Sequence, residues 1–205
     1  MTTLSEFRSD VRSLGNFPTN DTRITDAVVN REVNRALKRI ALLHDWPWLD
    51  AERTYITAAD VTAYPLPSDF LRAVSFRYPE GRKSLTLINI QELDDLYGNG
   101  DPWVYAVRGA KIHIGPVPSG EKTLKLRYIR QEIVLVNDND APLIPDHYSD
   151  GVSEAALVQI HRIANQPDMA GLAEARFQVW RTETRDNTTQ TRSQPRIRVR
   201  PGSQI

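Results

Sequence analysis

Pro142-Leu143-Ile144-Pro145-Asp146-His147-Tyr148 opens the stretch that decides the fold, and the residues from there to Asn187 read as two amphipathic helices broken at Asn165-Gln166-Pro167. The first is predicted to begin near Asp146. Val152, Ala156, Ile160 and Ile163 recur at the spacing that lines up side chains along one side of a helix. Leu157 and Ala164 fall elsewhere around it, and a helix apolar on more than one side is normally enclosed, so this helix is expected at the centre of a core. The second is expected to start at Asp168 and to turn Met169, Leu172, Ala173, Phe177 and Trp180 to the same interior, making a helical hairpin.

Towards the N-terminus, residues 3–14 predict a short helix with Leu4, Phe7, Val11 and Leu14 on one side, ended by Gly15. A longer helix is expected from Asp21 or Thr22 to Leu43, its stripe being Val29, Val33, Ala36, Leu37, Ile40 and Leu43. Opposite the stripe lie Arg31, Asn34, Arg35 and Lys38. A basic helix face of this kind is most often simply solvated; the alternative is contact with a subunit, another acidic partner or passing DNA. Trp46-Pro47-Trp48 then stops the helix and leads into a β-rich region over about 53–130. Strands are predicted at 53–58, 73–78, 84–88, 103–107, 111–114 and 123–129, with a short helix over Gln91–Tyr97. Helices, then strands, then helices argue for an α+β chain: a helical bundle with an antiparallel β-rich insertion, helices at 3–14, 22–43, 146–164 and 168–187, and one domain over 1–190.

Residues 191–205 form a different kind of segment. Arg192, Arg196, Arg198 and Arg200 have no acidic residue among them, and so few apolar residues cannot offset backbone ordering of about 1–2 kcal/mol per residue. Arg196-Ile197-Arg198-Val199-Arg200 nevertheless alternates with period two, the form of a peptide that adds itself to a partner's sheet edge or groove. An ordinary frayed terminus is the plainer reading.

Composition narrows the function. The 205 residues hold no cysteine, which removes disulfides and thiolate chemistry, and Lys plus Arg balance Asp plus Glu at 26 each, which argues against wholesale attraction to nucleic acid or an anionic membrane. Neither a signal peptide nor a membrane span is predicted, since no apolar run approaches about 18 residues. Gly151-Val152-Ser153-Glu154-Ala155 brushes a nucleophile motif, but its last position is alanine and it lies within a helix. His44, His113, His147 and His161 lack metal-site spacing, and Asp138-Asn139-Asp140 lacks the glycine and closing glutamate of a calcium loop. No catalytic, cofactor or metal site is predicted.

Several pieces together carry a resemblance: the long helix ending in Trp46-Pro47-Trp48-Leu49; Tyr64-Pro65-Leu66-Pro67-Ser68-Asp69-Phe70-Leu71-Arg72; the β-rich middle; and Asn137-Asp138-Asn139-Asp140-Ala141-Pro142-Leu143-Ile144-Pro145-Asp146-His147-Tyr148 before a helix with Ala155-Ala156. The chain resembles the head-to-tail adaptor (connector) proteins of tailed bacteriophages over most of residues 21–185. The resemblance implies a non-enzymatic structural protein of the virion neck, present in the host cytoplasm during assembly. It implies a homo-oligomeric ring of about a dozen copies, a dodecameric ring, docked beneath the portal protein and joined to tail components. DNA would pass through the channel at ejection without sequence-specific binding. In similar adaptors the C-terminal segment reaches into the portal, which assigns Arg192, Arg196, Ile197, Arg198, Val199 and Arg200 to portal binding, while Arg31, Arg35 and Lys38 are candidates for subunit or partner contact. Competing expectations are a DNA-binding module built on these same arginines, and a hydrolase or ligand binder whose site the fold assembles.

Overall fold

Thr3 and Thr25 decide where the first two helices begin. The Thr3 hydroxyl accepts the Glu6 N–H while the Glu6 carboxylate accepts the Thr3 N–H, a reciprocal cap on α1 (Leu4–Gly15). Two further N–H groups of that first turn, those of Leu4 and Ser5, donate to the carbonyls of Asp140 and Asp138. Thr25 caps α2 (Asp26–Leu43) through the Val28 N–H. The helix does not start at Asp21 or Thr22 because the Asp21 carboxylate accepts the N–H groups of Arg23 and Ile24, a turn that holds this segment out of helix.

The computed structural model describes residues 1–96 and 98–193, with side chains to Thr189. They fall into two compact units, a helical one from Met1–Pro47 together with the chain from Val134, and a sheet unit, Trp48–Ile133. The sheet unit has strands β1 (Asp50–Ile56), β2 (Ala63–Pro65), β3 (Phe70–Tyr78), β4 (Lys83–Leu87), β5 (Val104–Arg108), β6 (Lys111–Gly115) and β7 (Thr123–Arg130), with helix α3 (Ile90–Asp94) between β4 and β5. These seven strands form one sheet in the order β1-β7-β3-β4-β5-β6-β2. Pro65 lies on the edge strand β2, where a missing N–H is tolerated. Residues that alternate along the strands put Tyr55, Phe76, Leu85, Tyr105, Ile112, Leu124 and Leu126 into one core on one face. On the opposite face Leu93 of α3 packs with Val104 and Ala106.

The expected helical bundle with an antiparallel β-rich insertion is therefore wrong. The sheet is mixed and curled into a half-barrel with a core of its own. Its strands pair antiparallel except β4 with β5, where Thr86 lies opposite Val104 and Leu87 opposite Tyr105. A parallel pair needs a crossover of about a dozen residues or more, and the segment carrying α3 supplies it. Strand β7, next to the edge strand β1, pairs with β1 and β3, both distant in sequence, so that no local turn signal announces it.

In the helical unit α4 (Asp150–Ile163) packs against α1, α2 and α5 (Pro167–Ser193). Val152, Ala155, Ala156, Leu157, Val158 and Ile160 of α4 are all buried, the enclosure expected of a helix apolar on several sides. Ile163, Met169 and Leu172 are instead 41–45 % exposed. Of the α5 residues expected inside, Ala173 and Phe177 are buried, as are Ala170, Thr184 and Thr188, and Trp180 lies against Gly151. Leu14 and Leu43, expected in the apolar stripes of α1 and α2, are also partly exposed. Asn34 is no solvated residue: its side-chain amide donates to the Leu135 carbonyl at 2.9 Å and accepts the Leu135 N–H at 2.8 Å, so that one helix residue pairs with an extended segment as a strand would.

Glu154 gives this unit a pH dependence. Burial pushes its carboxyl above the ordinary 4.5, Arg176 at 3.7 Å pulls it back, and nearby Asp150 adds to the rise. An acid whose folded pKa is raised holds its proton longer in the folded than in the unfolded chain. Its contribution to stability is thus greatest below pH 4.5, declines as pH rises through the elevated value, and is constant above it. Glu154→Gln is expected to stabilise the protein at pH 7.5 relative to the parent and to lose that advantage at pH 4, read as the shift in urea midpoint at each pH. An equal shift at both would mean that ionisation of Glu154 plays no part.

Candidate functional site

Two polar surfaces stand out, one in each unit. In the helical unit Arg31 and Arg35 flank Glu32, and both donate to its Oε1, at 2.8 and 2.9 Å. Glu32 is only 1 % exposed, and its Oε2 has no hydrogen-bond partner among the described residues. It lines a cleft of about 200 Å3 together with Arg35, Ala36, Arg39, Ala155 and Gln159. Arg39 continues the network, donating to Glu174 at 3.0 Å with its guanidinium 4.8 Å from the centre of the Phe177 ring. Gln178 donates to the same carboxylate at 2.6 Å. These partners hold the Glu174 carboxyl below its ordinary range against the effect of burial, which is the largest single influence and acts the other way.

The expected basic face of Arg31, Arg35 and Lys38 is thus two different things. Arg31 and Arg35 belong to an ion-pair cluster with a buried acid that the spacing alone did not single out, whereas Lys38 is exposed. Along the same unit, Met169, Leu172 and Val179 of α5 lie on one side of that helix and are all exposed, flanking Arg176. Of the expected portal-binding residues, Arg192 lies in α5, which runs on past the boundary read at 187–191. Arg196, Ile197, Arg198, Val199 and Arg200 lie outside the described residues.

The second surface was not foreseen. On the sheet face opposite the main core, the register sets Glu52 beside Arg127 and Arg127 beside Ser75, then Lys125 beside Arg77 and Arg77 beside Ser84. With Arg82 of the β3–β4 turn and Lys83 at the start of β4 these residues line a groove of about 520 Å3. Asp50 is bonded to Arg127, and Glu52 lies 3.2 Å from Lys125. Arg77, Arg82 and Lys83 form no ion pair among the described residues. The signal was present in the alternation of Ser75-Phe76-Arg77 and Lys125-Leu126-Arg127, each apolar residue facing the core between two outward polar ones. What the sequence could not show was that β7 and β3 are neighbours.

The residues tested for chemistry have structural places. Ser153 is buried inside α4, and His161 is buried with Nδ1 2.8 Å from Gln166 Oε1 and its ring 5.2 Å from Phe17. Asp140 accepts the N–H groups of Val136 and Asn137, which hold its carboxyl low, and Asp138 pairs with Arg8 at 2.7 Å. Among the described residues no cluster of His, Cys, Asp or Glu is placed to hold a metal, and no helix is long and apolar enough to cross a membrane.

A family model described as SU10 adaptor protein matches residues 2–200. No curated protein matches the chain.

Proposed function

Because the chain belongs to the SU10 adaptor protein family, structural head-to-tail adaptors of bacteriophages, we propose that copies of it form a ring beneath the portal, link the capsid to the tail and continue the DNA channel. Membership itself implies association with portal and tail proteins and a place in the virion neck; the family is one of structural adaptors and not of enzymes. The match over nearly the whole chain, including most of the arginine-bearing C-terminal segment, is the observation that carries the proposal.

Subunits in a closed ring meet through two different patches of the same chain. The exposed stripe of Met169, Leu172 and Val179 on α5 and the Glu32 cleft on α2 are surfaces suited to such contact, the first apolar and the second holding a buried oxygen that lacks a donor among the described residues. Arg196, Arg198 and Arg200 supply charge for contact with the portal ring. Electron microscopy of the purified protein mixed with its portal ring should show an additional coaxial ring, and particles left bare at saturating protein would refute the reading. Removing residues 194–205, which leaves α5 whole, is expected to keep the denaturation midpoint and to weaken portal binding by at least about tenfold, the loss of one or two charged contacts. Binding that is unchanged after truncation would end the docking role of the tail.

A further inference from the structure

The sheet unit separates its charges. Acidic and basic residues balance between Trp48 and Ile133, yet no Lys or Arg occurs from Ser84 to Val107, while Glu92, Asp94, Asp95 and Asp101 all do. Glu92, Asp94 and Asp95 are exposed on and just after α3. The cations gather instead in the groove, where Arg77, Arg82 and Lys83 lack acidic partners among the described residues.

The two patches share one face of the sheet. Residues directly opposite one another in paired strands point to the same side, so the register carries that side from Lys125 to Arg77, Ser84, Thr86 and Val104. Val104 and Ala106 lie under Leu93, and a side chain at Gly115 would run into Leu93, which is how α3 comes to sit so close on β5 and β6. Thus α3 packs on the β5–β6 part of this face with its acids exposed, and the groove lies on the β1-β7-β3-β4 part.

We propose that the groove of one copy receives the acidic α3 turn of a second copy, Glu92, Asp94 and Asp95 meeting Arg77, Arg82 and Lys83. The proposal rests on the ring reading and gives it a subunit contact. Charge complementarity argues for it: Arg77, Arg82 and Lys83 line the groove without an acidic partner among the described residues, although Glu80 shares the turn with Arg82, and the stretch from Ser84 to Val107 carries acids and no cation, so that two copies can pair what one leaves unpaired. Nucleic acid fits the groove less well, because Asp50 and Glu52 stand among its cations and would face any phosphate brought onto the sheet.

The absence of cysteine allows a direct test. Lys83→Cys and Asp94→Cys proteins, mixed in equal amounts with the portal ring and oxidised, should give the mixed disulfide dimer in excess of both like-with-like dimers. Arg77→Glu with Lys83→Glu should weaken subunit association by about tenfold or more, since each 1.4 kcal/mol of charge repulsion is one decade, and Glu92→Lys with Asp94→Lys in the other copy should restore it. Coaxial rings without the mixed cross-link would overturn this contact and leave the ring reading standing; no rings and no cross-link would overturn both. Binding of duplex DNA by the parent protein, lost in the groove variant, would assign the groove to phosphate and overturn the proposal.

Discussion

Gly151→Ala is expected to destabilise the helical unit by about 2 kcal/mol, a typical penalty for forcing extra volume into a packed site. Helix propensity alone predicts the opposite sign, because alanine is better than glycine within a helix by about 1 kcal/mol. Gly151 lies in the first turn of α4 with the indole of Trp180 against its backbone, so that a Cβ would fall inside the contact distance of Cδ2 and Cε2 and within 2.6 Å of Cζ2. These are atoms of a rigid ring, itself stacked on Phe177 at 5.6 Å and 6.0 Å from Trp46, and it has little room to retreat. Valine, larger and branched, should cost more than alanine. Trp180→Leu in the same chain should relieve much of the Gly151→Ala penalty, a coupling of about 0.5–3 kcal/mol in a denaturation cycle. If Gly151→Ala proves neutral or stabilising, the indole moves aside freely and this close approach does not hold α5 to α4.

The same glycine shows what the sequence could and could not convey. Read as a motif, Gly151-Val152-Ser153 hinted at a nucleophile; in the fold the glycine makes room for an indole contributed from 29 positions further along. Patterns with a local cause were legible. The stripe of α2 from Val29 to Ile40 is buried, and the β3–β4 and β5–β6 hairpins lie where alternation and turn residues put them. Patterns that depend on distant partners were not. Nothing near Thr123–Arg130 marks it as the strand between β1 and β3, and nothing near Lys83–Leu87 marks a parallel neighbour beyond α3. For the same reason the groove cations were invisible as a group, since Arg77 and Lys125 become neighbours only by that pairing. Glu32 was missed differently: it occupies a buried position on α2 beside Val33, where a charged side chain is uncommon, and the arginines around it had suggested a solvated face.

Trp46→Ala is expected to cost about 3–5 kcal/mol, the range for truncating a large buried aromatic, and thus a large part of the roughly 5–15 kcal/mol that typically holds a domain folded. The ring is fully buried, with His44 edge-on at 5.0 Å. It also closes a helix. The last carbonyls of α2 lack the N–H groups that a further turn would provide, and His44 at the end has extended backbone. The Trp46 indole N–H donates to the Ile40 carbonyl at 2.6 Å and satisfies one of them. Two substitutions separate the parts. Trp46→Phe keeps most of the packing and loses the donor, an expected cost of about 1–3 kcal/mol for the carbonyl left buried, whereas alanine loses both. Measured by urea denaturation, the phenylalanine variant should fall between the parent and alanine. A phenylalanine variant as stable as the parent would mean that the indole N–H does not close α2; an alanine variant within about 1 kcal/mol of the parent would mean that Trp46 is not part of what holds α2 in the helical unit.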